Sequence, residues 1–484
     1  MGIMKRINNR PLTNGTSSYS WIVMKLRNCH DALFSSHEEA NIFFIQNQLL
    51  PWEAFQKKFP GISINKLFMT LKPAQINWLL KRAYKRTPSY QAPDFFSYYS
   101  IGCPKELNSS ALIARLRNNK NVELAYLETD MSDSPSVSTY GALNYSQEYL
   151  NAPPQGINAK YAWKQKGGKG VANVRFIDIE RGWLPHHESF IVKTLSCTGF
   201  NDYHYRDHGA AIFGIISMQK NNEGIMGISP NARGTIVSQW RPNGSFNTAD
   251  AIMAATARLR FGDIILLEAQ TCLDYNNGIT WPVEIHEANS QAIRLATACG
   301  IIVIEAAGNG DLNSLQGNDL DLLNIRGKRI LNPLHHGFCD SGALIVSAAS
   351  SSVPHERICY SNYGSRINCF AWGEKVVTAG NYPRSSGSAI NTYTNNFGGT
   401  SSASAIITGA AIAVQSIAEA KFNYRLGPSQ MREILSNEKY GTTSKNGHFS
   451  DKIGTMPDLK KIIDRVLDNP IHLMGKQTTS KGKS

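Results

Sequence analysis

From about residue 171 the chain alternates short aliphatic, β-branched runs with longer segments of helical period. The runs fall at 171–178, 234–239, 264–269, 301–306 and 343–349; the helical segments fall at 208–218, 249–260 and 284–299. Runs this apolar predict strands buried on both faces, and their alternation with helices predicts a parallel sheet sandwiched between helical layers. The first 131 residues read differently, being rich in Lys, Arg and long apolar side chains and poor in Gly. There, 71–83 predicts an amphipathic helix, 95–101 a strand, 111–119 a second helix and 122–127 a closing strand. Residues 1 to about 70 carry no pattern that assigns them. A polar, proline-containing stretch at 132–139 predicts a linker. The expected architecture is a three-layer α/β domain over 146–470 and a smaller α+β domain over 1–131, joined by a linker over 132–145. A basic tail over 471–484 ends the chain.

Composition supports this division. A hydrophobic fraction of 42% and a charged fraction of 18% over 484 residues supply two ordinary cores. The longest apolar run, 404–417, is interrupted by Thr408 and Gly409, which argues against a membrane span. The only apolar patch near the N-terminus, Trp21-Ile-Val-Met24, is too short for a signal-peptide core. A cytoplasmic protein, or one exported by a non-classical route, is the expectation. Eight cysteines without a Cys-x-x-Cys pair predict mostly reduced thiols. The net charge of +13 gathers at 81–86 and 476–483 without an aromatic-interleaved nucleic-acid reading motif. That arrangement fits a solvated face and a tail better than nucleic-acid binding.

The chemistry lies at the predicted strand ends and helix starts. Ser401 stands in Gly398-Gly-Thr-Ser-Ser-Ala-Ser-Ala405, at the start of a long small-residue helix. Two glycines permit a sharp turn and close approach of another chain. Upstream, Asp178 ends the run 171–178, His208 opens a helix, and Asn309 follows the strand 301–306 through Ala307 and Gly308. An acid, an imidazole, an amide and a hydroxyl therefore lie where open α/β sheets collect reactive groups. The order acid, histidine, serine is one of the known orders of the serine triad.

With these blocks in place the chain resembles the subtilisin-like serine peptidases from about Ala152 to Val466. The family's Gly-Thr-Ser-x-Ala-x-Pro is similar to Gly399-Thr400-Ser401-Ser402-Ala403-Ser404-Ala405, and its His-Gly-Thr-x-Val-x-Gly to His208-Gly-Ala-Ala-Ile-Phe-Gly214. Gly224-Ile-Met-Gly-Ile-Ser-Pro-Asn-Ala232 and Ala306-Ala-Gly-Asn309 match two further family blocks. The resemblance implies a serine endopeptidase with Asp178, His208 and Ser401 as its triad and Asn309 in its oxyanion hole. It also implies that Glu268, Ala269, Gln270 and Gly308 line the substrate; the charge of Glu268 there fits either a preference for cationic residues or a structural carboxylate. The departures are clear. Asp178 is followed by Ile179-Glu180-Arg181-Gly182 where the family has Ser/Thr-Gly, and Ala210 and Ala405 replace Thr and Pro.

Residues 95–128 resemble the end of an inhibitor propeptide, which implies a zymogen that first cleaves itself between Glu128 and Tyr145. The expected partners are peptide or protein substrates and the chain's own N-terminal domain, with no nucleic acid and no membrane span. No cofactor is implied. Structural calcium is common in the family, but no site for it is legible. A catalytic zinc built from His186, His187, Glu188, His204, His208, His335 or His336 is disfavoured by the absence of His-Glu-x-x-His. The non-enzymatic alternative is a pseudopeptidase that binds proteins through the same cleft.

Overall fold

The structure, a computed structural model, describes residues 18–27, 37–47, 49–129, 146–190, 197–222, 224–274, 277–380 and 391–467. The expected linker and basic tail lie outside these residues. The N-terminal unit is built from β1 (Tyr19–Leu26), α1 (His37–Gln46), α2 (Trp52–Lys58), β2 (Ser63–Lys66), α3 (Pro73–Arg86), β3 (Tyr98–Pro104), α4 (Ser109–Arg117) and β4 (Val122–Glu128). Its sheet has the order β2-β3-β1-β4 and is antiparallel throughout, the order of a split β-α-β unit. The unassigned first part of the chain thus contributes a central strand. Val23 lies between Ser100 on one side and Tyr126 on the other.

The second unit follows with α5 (Ala159–Ala162), β5 (Arg175–Glu180), β6 (Cys197–Thr198), α6 (Arg206–Ser217), β7 (Arg233–Ser238), α7 (Thr248–Arg258), β8 (Ile264–Leu267), β9 (Gln270–Thr271), β10 (Trp281–Pro282), α8 (Glu287–Ala298), β11 (Ile302–Ala306), β12 (Leu344–Ala349), β13 (Cys369–Trp372), β14 (Val376–Ala379), β15 (Tyr393–Phe397), α9 (Gly399–Phe422), α10 (Pro428–Leu435), β16 (Gly441–Thr443) and β17 (Thr455–Pro457). Among the described residues nine strands form one sheet, β16-β17-β13-β12-β11-β8-β5-β7-β6, parallel except for the β16–β17 pair. The expected three-layer α/β domain is therefore observed, with α7 and α8 packed together on one face and α6 and α9 on the other.

Helix α9 is buried from Gly399 to Ala418. Small residues make this tolerable: a Cβ on Gly409 would sit 2.7 Å from the Cβ of Ile228. By length and composition α9 is apolar enough to cross a membrane, but its most apolar window is fully buried within the domain.

The N-terminal unit covers α7 and α8. One apolar cluster joins Leu71, Ile76, Leu79 and Tyr98 to Ile252, Ala292 and Leu295 across the boundary. Tyr126 of β4 stacks on His286 with ring centres 4.3 Å apart. Lys25 Nζ reaches Glu287 at 3.2 Å, and the Tyr98 hydroxyl donates to the same carboxylate. Arg241 and Asp250 form a buried 2.8 Å ion pair, and Thr70 of the N-terminal unit donates to Asp250 at 2.5 Å.

Candidate active site

The acid strand runs further than its sequence suggests. β5 continues through Ile179 to Glu180, pairing Glu180 with Ser238 of β7. Side chains two apart on a strand share a face, so Asp178 and Glu180 project the same way and Glu180 lies nearer the sheet's C-terminal edge. His208 sits in the first turn of α6, and its Nδ1 meets Glu180 Oε2 at 2.8 Å. The sequence points to Asp178 as the acid that holds this imidazole, and the structure corrects it. Asp178 Oδ2 accepts from Trp183 Nε1 at 2.6 Å, and the carboxylate that bonds Nδ1 belongs to Glu180. The chain does carry a signal for this: Glu180-Arg181-Gly182 keeps the acid-x-Gly spacing that Asp178 lacks. Gly182 cannot be replaced cheaply, because a Cβ there would lie 2.0 Å from the Asp202 carbonyl oxygen.

Gly399 adopts φ +84°, a left-handed conformation that glycine allows, and its N–H donates to the Gly373 carbonyl at 2.8 Å. This turn starts α9 and sets Ser401 in its first turn, 7% exposed. Asn309 lies beside the same turn. Its Oδ1 accepts from Thr400 N–H at 2.9 Å and from the Thr400 hydroxyl at 3.1 Å. With Oδ1 committed, the Asn309 amide can only offer its Nδ2 hydrogens outward. The Asn309 backbone N–H is held by Gln270 Oε1 at 2.9 Å, so Gln270 supports the amide from beneath. Gly308, with φ +90°, brings the chain within reach of Asn362 and Trp281. Ala269 is buried beside Gln270.

Glu268 differs most from its expected use. The residue is 4% exposed, accepts from the Ser404 hydroxyl at 2.5 Å and hydrogen-bonds with the Ser401 side chain. It therefore faces the start of α9 as a buried group, a poor arrangement for selecting cationic substrate side chains. Three carboxyls thus crowd one histidine. Burial pushes Asp178 far above the usual carboxylate range, and its contact with Glu180 pushes it further. Burial also raises Glu180, while the hydrogen bond from Asp178 acts in the opposite direction. Asp178 Oδ1 and Glu180 Oε1 are buried without a hydrogen-bond partner, and each carboxyl acts on the proton affinity of the other. Glu268 is pushed up to about 8, mainly by burial.

Among the described residues the other histidines do not converge. His187 donates from Nε2 to the Thr392 carbonyl at 2.9 Å, and His335 lies against His336 with ring centres 4.2 Å apart and planes tilted by 32°. Among the described residues no group of three or more His, Cys, Asp or Glu is placed to hold a metal ion. Cys103, Cys272, Cys299, Cys339, Cys359 and Cys369 are free thiols.

Comparison with known proteins fits this geometry. Residues 196–455 match the model of the subtilase family, peptidase S8. The match begins beyond β5, so the unusual acid strand lies outside it. The chain is 23% identical over 277 residues to the minor extracellular protease Epr of Bacillus subtilis, covering 57% of this chain and 37% of that protein. It is 27% identical over 275 residues to subtilisin DY of Bacillus licheniformis, covering 56% of this chain and 85% of that one. The chain thus spans little more than a third of the first relative's length. Among solved structures, the epidermin leader peptide processing serine protease of Staphylococcus aureus, in a serine-to-alanine mutant form, superposes with a TM-score of 0.55. That match covers 93% of this chain and 100% of the other at 15% identity, and shows a shared fold.

Proposed function

We propose that this chain, which belongs to the subtilase family, is a serine endopeptidase with Ser401 as nucleophile, His208 as general base and Glu180 as the orienting carboxylate. The observation that carries this is the 2.8 Å bond between His208 Nδ1 and Glu180, in a site that Ser401 shares through Glu268. A carboxylate on Nδ1 fixes the tautomer that leaves Nε2 free to accept a proton, and it stabilises the imidazolium that results. Ser401 Oγ attacks the scissile carbonyl, its proton passes to His208, and His208 returns it to the leaving amine. The Asn309 Nδ2 hydrogens and the Ser401 backbone N–H receive the developing oxyanion. Asp178, neutral and donating to Glu180, keeps the acid in place and acts against the burial that raises its proton affinity.

The substrates are peptides or proteins, and the first of them is the chain's own linker. Support comes from the path of β4: beyond its last residue, Glu128, the Thr129 hydroxyl meets that of Thr271 at 2.7 Å and accepts from Cys272 N–H at 3.0 Å. The N-terminal unit thereby leads its chain alongside 268–272, the segment that supports Asn309 and Ser401.

A fluorophosphonate probe tests the nucleophile: it should label the wild type at Ser401 and leave Ser401→Ala unlabelled. Absence of labelling in an intact, folded wild type would overturn the assignment. Intact-mass analysis tests self-processing, which requires a shortened wild type beside a full-length Ser401→Ala chain.

A further inference from the structure

We propose that Glu268 is a further catalytic residue: as a neutral carboxylic acid it donates a hydrogen bond to Ser401 Oγ, and its ionisation switches the nucleophile off. The proposal rests on Ser401 being the nucleophile. Glu268 immediately follows β8, at the C-terminal edge of the sheet where reactive groups gather. Its Oε1 takes the Ser404 hydroxyl at 2.5 Å, and the Ser401 side chain is within its hydrogen-bonding reach. Oε2 is buried with no fixed partner. Ionising a carboxyl buried this deeply is costly even with the two serine hydroxyls beside it, whereas the neutral acid can offer its O–H to Ser401 Oγ.

The surrounding charges favour the neutral form. The groups facing Glu268 are Asp178 and Glu180 from β5, His208 from α6, and Ser401 and Ser404 from α9. Two of these are acids, and His208 is neutral in the resting enzyme if it is to act as base. Burial and the Asp178 carboxyl both raise the proton affinity of Glu268, against the lowering effects of His208 and the two serines.

The consequence for catalysis follows from proton bookkeeping. When Ser401 Oγ bonds to the carbonyl carbon, its own proton moves to His208 Nε2 and the carbonyl π pair moves onto the oxygen facing Asn309. Glu268 keeps its proton throughout. Its hydrogen bond stabilises negative charge on Oγ as the serine proton departs, and again when Oγ leaves during deacylation. An ionised Glu268 does the reverse. It accepts the Ser401 proton, turning the hydroxyl away from His208, and repels the oxyanion.

The test uses the full-length protein, with fluorophosphonate labelling rate and hydrolysis of a chromogenic peptide followed from pH 5 to 10. Wild type should lose rate above about pH 8. Glu268→Gln should be roughly three- to tenfold slower than wild type near pH 6, because an amide is the weaker donor. It should show no alkaline decline, and so overtake wild type by pH 10. Ser404→Ala removes a donor that favours ionised Glu268, so its decline should move to higher pH; this variant also decides the matter if the glutamine variant does not fold. The same alkaline decline in all three proteins would overturn the proposal, as would loss of labelling by Glu268→Gln at every pH, which would make the carboxylate a base. Wild type that neither labels nor cleaves at any pH would instead remove Ser401 as nucleophile, and this proposal with it.

Discussion

Glu180 and Asp178 lie two residues apart on β5 and share one face, yet only Glu180 bonds the imidazole of His208, at 2.8 Å, while Asp178 takes the indole N–H of Trp183. The longer glutamate side chain, nearer the edge of the sheet, reaches the start of α6. The shorter aspartate is left beneath it among apolar neighbours. Two buried acids so close cannot both ionise, and the geometry separates their roles: one faces a base, the other a neutral donor.

Substitution should separate these roles sharply. Glu180→Gln removes the charge that stabilises the imidazolium and permits the wrong tautomer, so kcat should fall roughly 10³- to 10⁴-fold. Asp178→Asn mimics a protonated aspartate, still accepting from Trp183 and donating to Glu180, and should stay within about tenfold of wild type. Steady-state kinetics on one peptide substrate would measure both. A greater loss in Asp178→Asn would return the orienting role to Asp178.

The tie between Asn309 and Thr400 predicts a graded pair of effects. Asn309→Leu removes an oxyanion donor and should lower kcat about 10²- to 10³-fold with little change in KM. Thr400→Val removes the 3.1 Å hydroxyl donor but keeps the 2.9 Å backbone N–H, so the amide stays aimed and the loss should be about tenfold or less. Equal losses in the two variants would mean that Thr400 acts on its own account.

Much of this architecture is legible in the sequence because both-sided burial gives strands such as Ile264–Leu267 an unbroken apolar signature. Segments with helical period, such as α6 and α7, are equally plain. The start of α9 is legible too, since two glycines and a run of small residues leave few other conformations. The orienting acid is harder to place for a physical reason: an apolar strand with acids at two same-face positions offers no local cue to where pairing ends. Only Gly182, forced by the Asp202 carbonyl, marks the end of the motif. β1 is hidden as a strand because its apolar run is short and its flanks are polar. Its central place depends on partners about 75 and 100 residues downstream. Glu268 reads as part of an open cleft because sequence cannot show that Ser401 and Ser404 turn one helical face towards it.

The buried Arg241–Asp250 pair at the boundary between the two units should matter more when broken than when replaced. Asp250→Ala strands a guanidinium whose side chain is 2% exposed and removes the acceptor of Thr70, which should cost about 3–5 kcal/mol. Replacing both partners with apolar residues, as in Arg241→Met with Asp250→Leu, should recover most of that loss. Urea denaturation of the three proteins with Ser401→Ala as background, to prevent self-digestion, checks this. A double variant as unstable as Asp250→Ala would show that the charges hold the units together beyond their mutual attraction.

The raised proton affinity of Glu268 should also be visible in stability, without any turnover. The folded protein keeps this proton up to about pH 8, whereas an unfolded glutamate releases it near 4.5. Between those values the native state binds more protons than the unfolded chain, so each rise in pH lowers the stability that Glu268 contributes. The contribution is intact below pH 4.5, falls through the window and is fully lost above about 8. Asp178 and Glu180 are shifted in the same direction and slope the same way. Glu268→Gln removes one of these titrations. Its Tm, measured in a Ser401→Ala background, should rise relative to the parent as pH increases from 4.5 to 8, and the difference should then level off. A difference that does not change across that range would mean that Glu268 is ionised in the folded protein at neutral pH.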